Sequence, residues 1–195
     1  MIRRIEICGG IASGKTTLVQ QFEKNGYFSI YEDFKNNPFL HNFYSDTTRY
    51  AFETELTFSL QHFHALKISK TQKQIITDYS LEQDYAYAKN NLTSSELLAF
   101  ETVFNEIIQQ VGQASIVVYI KCPIELLLNR IEKRNRRLEK AITYDYLDGM
   151  INALEKRLNN GYINYVTIDS DKMDFRRDDV FSVVKKTILD KMPSI

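Results

Sequence analysis

The sequence has 195 residues, of which 44% are hydrophobic and 26% charged, and its 25 basic residues balance 25 acidic ones. This composition is typical of one globular domain, and a net charge of zero argues against nucleic acid or an anionic membrane as a general partner. No apolar run reaches membrane-spanning length, which argues against a transmembrane protein. The first residues carry no signal-peptide core, so we expect a cytoplasmic protein.

Five short β-like runs alternate with helical patterns along the chain. The predicted strands are Ile2–Cys8, Tyr27–Tyr31, Gln74–Asp78, Ile116–Lys121 and Ile163–Ile168. Strands separated by long helical patterns predict a five-stranded parallel sheet with helices on both faces, an α/β/α arrangement. Cys8 and Cys122 stand at strand ends and are expected to be buried thiols without a disulfide.

The first predicted strand leads directly into a phosphate-binding P-loop with the pattern G-x-x-x-x-G-K-T. The loop and its continuation comprise Gly9, Gly10, Ile11, Ala12, Ser13, Gly14, Lys15, Thr16 and Thr17. A helical pattern follows, so strand, glycine turn and helix N-terminus come together around a phosphate. Lys15 then supplies a cation to the outer phosphates, and Thr16 supplies a hydroxyl to Mg²⁺. We therefore predict that the phosphates of a nucleotide bind here with magnesium.

Acidic residues follow three of the other four predicted strands. Glu32 and Asp33 follow the second, Asp78 follows the third and Asp169 follows the fifth. Ligands of parallel sheets bind beyond the carboxyl ends of the strands. Any one of these residues could be a helix cap, but two carboxylates beside a P-loop favour magnesium binding and catalysis.

A long helix is predicted from about Thr47 to Ser69. Its apolar residues at helical spacing predict a core-facing side, formed by Phe52, Leu56, Leu60 and Phe63. A neighbouring stripe contains Glu55 and His62. This stripe could read a flat ligand or form the rim of an amphipathic helix, and the pattern alone favours the rim.

Six basic residues lie within eleven positions after the fourth strand: Arg130, Lys133, Arg134, Arg136, Arg137 and Lys140. Asn135 tolerates a left-handed conformation and is expected to end the helix there. A solvated face and a nucleic-acid patch are alternatives. In a chain with a P-loop, a mobile arginine lid over the transferred phosphate, at about residues 130–142, is the sharper interpretation. A last helix is predicted from about Asp178 to Lys191.

These motifs resemble those of the deoxynucleoside kinases, most of all the short bacterial members, over nearly the whole length. The most specific blocks are Asn37-Pro38-Phe39-Leu40, Phe43-Tyr44-Ser45-Asp46 and Arg130-Ile131-Glu132-Lys133-Arg134-Asn135-Arg136 with Glu139. The resemblance implies one P-loop NTPase domain over 1–195 that moves the γ-phosphate of ATP to the 5′-hydroxyl of a deoxynucleoside, for nucleotide salvage.

The resemblance also implies a role for particular residues. By this resemblance, Glu32 would be the base that takes the 5′-hydroxyl proton. Four cations would surround the phosphates, Lys15, Arg130, Arg134 and Arg136, and magnesium would be bound by Thr16 and Asp78. The nucleoside is contacted by Glu32, Tyr44, Phe52, Glu55, His62, Asp78, Asp84 and Glu139, with Tyr44 and Glu139 at the sugar 3′-hydroxyl. Asp174 and Phe175 belong to the loop near the adenine of ATP. A homodimer is expected through the helices that begin near Thr47 and Thr93.

Three positions depart from the family pattern. Tyr79 stands where an arginine commonly follows the acidic residue of the third strand, which removes a cation that would steady Glu32. Glu55 replaces a base-reading glutamine, and His62 replaces a frequent arginine. An ionised Glu55 offers only acceptors and matches the two adjacent donors of guanine, whereas a protonated Glu55 would admit adenine or cytosine. We therefore expect a purine preference that favours deoxyguanosine.

Two other functions are compatible with a P-loop protein of this size. A kinase for a nucleoside monophosphate or for dephospho-coenzyme A would need more basic residues at the acceptor, and Arg49 is the only one that the long helix offers there. A regulatory protein that binds nucleotide without transferring phosphate would need a γ-phosphate-sensing loop. Glu32 together with the dense arginine cluster favours an acceptor hydroxyl instead.

Overall fold

The computed structural model describes residues 3–160 and 163–193, without the side chains of residues 137 and 138. Five strands lie within the described ranges: β1 (Arg3–Gly9), β2 (Phe28–Ile30), β3 (Gln74–Thr77), β4 (Ile116–Lys121) and β5 (Tyr165–Asp169). The bounds of β4 are those predicted, and the other strands differ by one or two residues at an end. Ile2, which begins the predicted first strand, lies outside the described residues.

The strands form one parallel sheet in the order β2-β3-β1-β4-β5. β1 is central, with Ile5 paired to Ile76 of β3 on one side and to Ile116 of β4 on the other. Residues 4–9 of β1 are all buried, as expected for a central strand covered on both faces. The predicted five-stranded parallel sheet is therefore confirmed.

Eight α-helices connect the strands within the part of the chain that is described. They are α1 (Lys15–Lys24), α2 (Leu40–Phe43), α3 (Thr47–Ile68), α4 (Leu81–Asn91), α5 (Ser94–Val111), α6 (Ile124–Arg134), α7 (Tyr144–Asn160) and α8 (Asp178–Lys191). α1 and α8 pack through Phe22 and Phe181 on one face of the sheet. α3, α4, α5 and α7 cover the other face. This is the predicted three-layer α/β/α fold, and α8 has the predicted bounds.

A buried ion pair in the central strand positions the helix layer that carries part of the cleft. Arg4 Nε donates to Glu6 Oε1 at 2.7 Å, and the two residues are 7% and 1% exposed. The second carboxylate oxygen of Glu6 accepts from the backbone N–H of Leu81, the first residue of α4. Arg4 also donates to the carbonyls of Val111 and Gly112 at the end of α5. Charged residues in a buried strand thus fix where α4 starts.

The predicted core face of α3 is only partly right, because Leu56 and Phe63 pack against the apolar cluster that α3 shares with α4 and α5. Leu60, in the middle of the predicted stripe, is 46% exposed, and Leu56 and Phe63 are only half-buried. The buried face of α3 carries Ala51, Thr54, Glu55, Ser59, His62 and Leu66. The stripe with Glu55 and His62, interpreted above as a solvated rim, is therefore interior. Helical spacing identifies a face but not its neighbour, and here the interior neighbour is a polar cleft.

The described residues include no helix that is both long and apolar enough to cross a membrane.

Candidate active site

A cleft of about 880 Å³ lies at the carboxyl ends of β1, β2 and β3. Sixteen predicted site residues line it: Ile11, Ala12, Ser13, Gly14, Lys15, Thr16, Thr17, Glu32, Tyr44, Glu55, Asp78, Asp84, Arg130, Arg134, Arg136 and Glu139. Asp33 and Asp169, which also follow strands, are exposed and lie outside this lining. The sheet thus brings together residues that are more than a hundred positions apart in the sequence.

The P-loop takes the shape that its glycines permit. Gly9 and Gly14 have φ values of 142° and 108°. A Cβ on Gly9 would lie 2.6 Å from the carbonyl oxygen of Ile120, so this position accepts no side chain. No side chain caps the N-terminus of α1, which leaves its first-turn N–H groups available for an anion.

Lys15 lies across the P-loop. Its Nζ donates to the carbonyl oxygens of Gly9 and Gly10 at 2.7 and 3.1 Å. Burial lowers the pKa of Lys15, and the carboxylates of Glu32 and Asp78 oppose that shift. An ammonium group is therefore held beside the position that the loop shapes for a phosphate.

Asp78 joins three separate parts of the site. Its Oδ2 accepts from the hydroxyl of Thr16 at 2.8 Å, and its Oδ1 accepts from the backbone N–H of Glu32 at 2.6 Å. The end of β3, the start of α1 and the segment after β2 are thereby held together. The carboxylate at the end of the third strand, singled out from the sequence, is the link between them.

Glu32 extends into the cleft from the segment after β2. Its side chain is 32% exposed, so it is accessible to a ligand while still partly desolvated. Burial raises the pKa of Glu32, and His62 and Lys15 oppose that rise. A carboxylate with a raised pKa at the mouth of a phosphate site is suited to accept a proton.

His62 lies behind the cleft and does not form part of its lining. Its ring stacks on Tyr79, with centroids 3.7 Å apart and an interplanar angle of 5°. Nδ1 is 2.8 Å from Oδ2 of Asp84, and Nε2 is 3.9 Å from Oε1 of Glu32. Two of the three positions at which the chain departs from the family pattern, Tyr79 and His62, are therefore in direct contact.

Glu55 reaches the cleft from the interior face of α3 and is 5% exposed. Its Oε1 accepts from Asn91 Nδ2 at 2.6 Å. Burial raises the pKa of Glu55 to about 8, with the hydrogen bond from Asn91 acting in the opposite direction. The side chain is therefore mostly a neutral acid at pH 7.

The basic segment after β4 contains ion pairs between its own arginines and a glutamate. Asn135 ends α6 in a left-handed conformation, as predicted, and a short 3₁₀ helix follows at Arg137–Ala141. Both carboxylate oxygens of Glu139 accept hydrogen bonds from the guanidinium of Arg134. Nη1 of Arg136 lies 3.5 Å from Oε1 of Glu139. Glu139 is 8% exposed and thus gathers two arginines at the rim of the cleft.

Arg130 is fastened to the P-loop itself. It donates to the carbonyl oxygens of Ala12 and Ser13 at 3.3 and 3.2 Å, and to that of Ser170 at 3.4 Å. The predicted arginine lid thus contains one arginine that braces the loop and two that are held by Glu139.

Besides His62 and the first P-loop residues Gly9 and Gly10, three predicted residues lie outside the cleft lining. Phe52 is half-buried on α3, and Asp174 is half-exposed and paired with Arg176. Phe175 is 3% exposed in the core, with its ring 3.2 Å from where a Cβ on Gly14 would stand. The structure thus places Phe175 under the P-loop rather than in the cleft.

Several cleft residues were missed from the sequence. They include Phe34, Leu40, Phe43, Phe58, Gln83, Tyr87 and Tyr146. Gln83 accepts from the backbone N–H of Gly9 at 2.9 Å and so fixes the start of the P-loop. A signal existed for two of them, because Tyr87 follows Gln83 by four residues and Asp84 by three, which puts all three on one face of α4.

A central parallel strand that opens into a P-loop, with a carboxylate and arginines facing the loop across one cleft, defines a P-loop phosphotransferase. The comparisons with known proteins specify its family. The model of the family described as deoxynucleoside kinase matches residues 5–192. The chain belongs to the deoxynucleoside kinase family and is an ATP-dependent phosphotransferase acting on a deoxynucleoside.

Individual relatives agree with this assignment. The chain is 30% identical to a deoxyguanosine kinase of Bacillus subtilis, over 88% of each protein. It is 29% identical to a deoxyadenosine kinase of Lactobacillus acidophilus, over 90% of this chain and 89% of the relative. A structure of deoxyadenosine kinase from M. mycoides with dCMP and dCDP bound has a TM-score of 0.83 at 21% identity, over 96% of this chain and 99% of the other. That structural likeness supports the fold.

The pairing of Glu139 with Arg134 predicts how firmly the arginine segment is held without ligands. Glu139→Gln removes the charge from these hydrogen bonds, which contribute about 1.5–3 kcal/mol each when charged. We expect amide hydrogen exchange over residues 135–142 to accelerate about 10- to 100-fold. Glu132→Gln, an exposed change on α6, should leave the exchange as it is. Unchanged exchange in Glu139→Gln would show that the ion pair does not hold the segment.

Proposed function

We propose that the chain phosphorylates purine deoxynucleosides with Mg-ATP, with Glu32 as the catalytic base. The observation that carries the proposal is the position of Glu32 in the P-loop cleft, where its partly exposed carboxylate faces the phosphate site. The 5′-hydroxyl gives its proton to Glu32 as its oxygen attacks the γ-phosphorus. Phosphoryl transfer asks mainly for positioning and charge neutralisation, which a carboxylate and several cations supply.

The phosphates are bound by the P-loop N–H groups and by cations from both sides of the cleft. Lys15 lies on the loop, and Arg134 and Arg136 line the opposite rim. When these arginines turn from Glu139 toward the transferred phosphoryl group, they stabilise its charge in the transition state. Glu139 is then available, together with Tyr44, for the sugar 3′-hydroxyl, as the family resemblance implies.

Magnesium fits the donor set of Thr16 and Asp78. Their oxygens already meet at 2.8 Å, and hydroxyl and carboxylate oxygens are the ligands that this hard cation takes. Within the described residues no three His, Cys, Asp or Glu side chains form a metal cluster. This suits a cation that is held by one carboxylate plus substrate phosphates and water. When bound, magnesium supplies positive charge at the phosphates.

Glu55 carries the proposed base preference. Asn91 occupies Oε1, so the proton of the neutral acid belongs on Oε2, and the side chain offers a donor beside an acceptor. That pair matches adenine, whereas the ionised form matches the two donors of guanine. The relatives named deoxyguanosine kinase and deoxyadenosine kinase support a purine substrate. The balance between the two purines then depends on the protonation of Glu55.

A cytoplasmic location stays a prediction. It has the support of Cys8 and Cys122, which are both buried free thiols, as expected in a reducing compartment.

A homodimer is the proposed assembly, through the outer faces of α3 and α5. Leu60 and Ile68 of α3 are 46% and 67% exposed, and Leu98 of α5 is 68% exposed. The two helices pack on each other through a shared apolar cluster, so their outer residues lie on one side of the molecule. Exposed large apolar residues on adjacent helices are typical of a protein interface.

Glu32→Gln tests the base. We expect kcat for phosphoryl transfer from Mg-ATP to the preferred deoxynucleoside to fall by about 10²- to 10⁴-fold, because the variant cannot accept the hydroxyl proton. Asp33→Asn, at the neighbouring exposed carboxylate, is the control. The assay covers the four deoxynucleosides, the four ribonucleosides and their monophosphates. Turnover confined to monophosphates would assign a different kinase, and ATP binding without turnover would favour a regulatory role.

Base preference should follow the protonation of Glu55. We expect the ratio of kcat/KM for deoxyguanosine to that for deoxyadenosine to rise as the pH passes through about 8, because the carboxylate replaces the acid above the pKa of Glu55. Mismatched polar contacts of about 1–3 kcal/mol correspond to a change of about 5- to 150-fold. Glu55→Gln should hold the ratio at the low value that the parent shows below pH 8, without variation with pH. Glu53→Gln, exposed on the same helix, should behave as the parent does. A ratio that still rises with pH in Glu55→Gln would contradict the role of Glu55.

The proposed interface is tested by placing a charge on it. Leu98→Glu should convert the dimer to a monomer in sedimentation velocity, because the two copies would bury the new carboxylates against apolar surface. Val183→Glu is the matched control, since Val183 is 65% exposed on α8, on the opposite face of the sheet. A parent protein that already sediments as a monomer would refute the dimer.

A further inference from the structure

We propose that His62 is a positioning residue that holds a positive charge against the catalytic base, in place of the arginine that Tyr79 has displaced. The inference rests on the proposed role of Glu32 as the base. It goes beyond that role because it assigns a function to His62 as well. The sequence suggested His62 as a nucleoside contact, whereas here it acts on Glu32 from behind the cleft.

The geometry fixes the imidazole in one orientation. His62 is 2% exposed, with Tyr79 stacked on one face of its ring and Phe58 at a centroid distance of 5.9 Å. Nδ1 is engaged by Asp84 at 2.8 Å. A ring clamped by aromatic stacking and by one carboxylate has a single direction left for its second nitrogen.

That second nitrogen points toward the base. Nε2 of His62 is buried, has no hydrogen-bond partner among the described residues and lies 3.9 Å from Oε1 of Glu32. A buried polar atom without a partner is costly, so it normally marks a missing or incoming contact. The carboxylate of Glu32 is the partly exposed and adjustable member of the pair. A small rotation of its side chain would complete the hydrogen bond when the substrate orders it.

The surroundings of His62 favour its charged form. The titratable groups that face it are Glu32 after β2, Asp78 and Tyr79 at the end of β3, Asp84 of α4 and Glu55 of its own helix. Burial lowers the pKa of His62, but Asp84 and Glu32 raise it by more, so the pKa is above its usual value. One imidazolium among several carboxylates is electrostatically more favourable than a neutral ring.

His62 acts through Glu32 and does not touch the reacting atoms. As the 5′-oxygen bonds to the γ-phosphorus and the bond from the γ-phosphorus to the bridging oxygen of ADP breaks, the hydroxyl proton passes to Glu32. The proton on Nε2 of His62 stays where it is. The imidazolium orients the carboxylate and keeps it ionised until it accepts the substrate proton.

The test compares neutral and charged replacements of His62 in the full-length protein. His62→Gln should lower kcat about 10- to 100-fold while KM for the deoxynucleoside and for ATP change less than about threefold. His62→Lys, which returns a cation, should recover part of the lost kcat. His64→Gln, an exposed change on the same helix, is the control. His62→Asn serves as a second neutral variant if His62→Gln does not fold.

A double variant separates this inference from the proposed function. If His62 acts through Glu32, adding His62→Gln to Glu32→Gln should cause no further loss of kcat. Additive losses, an unchanged kcat in His62→Gln, or an equal loss in folded His62→Lys and His62→Gln would each overturn the inference and leave the base assignment intact. Full activity of Glu32→Gln alone would overturn the base assignment and the inference with it.

Discussion

The structure depends on how one cleft accommodates four carboxylates in addition to Glu139 at its rim: Glu32, Glu55, Asp78 and Asp84. Carboxylates that converge out of water repel one another unless each is paired, hydrogen-bonded or protonated. Here each has a different solution: a hydroxyl and a backbone N–H for Asp78, an imidazole for Asp84, protonation for Glu55, and flanking cations for Glu32. These partners come from α1, α3 and the segment after β2. The elements that form the site are therefore held together by the same charged side chains that we propose for catalysis and binding.

Charged side chains also position structural elements at the central strand β1. One carboxylate oxygen of Glu6 accepts a hydrogen bond from Arg4, and the other accepts one from the first backbone N–H of α4. α4 in turn places Gln83 and Asp84 in the cleft. Gln83 returns to the strand by accepting from Gly9. β1, α4 and the P-loop are therefore joined by hydrogen bonds in a continuous network. The position of the phosphate site is thus fixed relative to the sheet.

Much of the fold could be predicted from the sequence because its signals are local. The P-loop, the bounds of β4 and α8, and the left-handed end of α6 at Asn135 all follow from a few adjacent residues. The two faces of α3 could not be assigned, because periodicity does not reveal that the cleft lies on one side. The interior position of Phe175 and the contact between His62 and Tyr79 depend on segments that are distant in sequence. The family resemblance supplied residue roles, but it could not supply the new neighbours at positions that depart from the pattern.

The bonds from Arg130 to the carbonyls of Ala12 and Ser13 have a consequence for nucleotide affinity. A loose glycine-rich loop would lose conformational entropy on meeting its ligand, at about 1–2 kcal/mol for each residue that becomes fixed. In this chain the guanidinium already holds the loop against the end of β5, so that loss occurs when the protein folds. The free energy of the phosphate contacts then contributes to nucleotide affinity, because little of it is needed to order the P-loop.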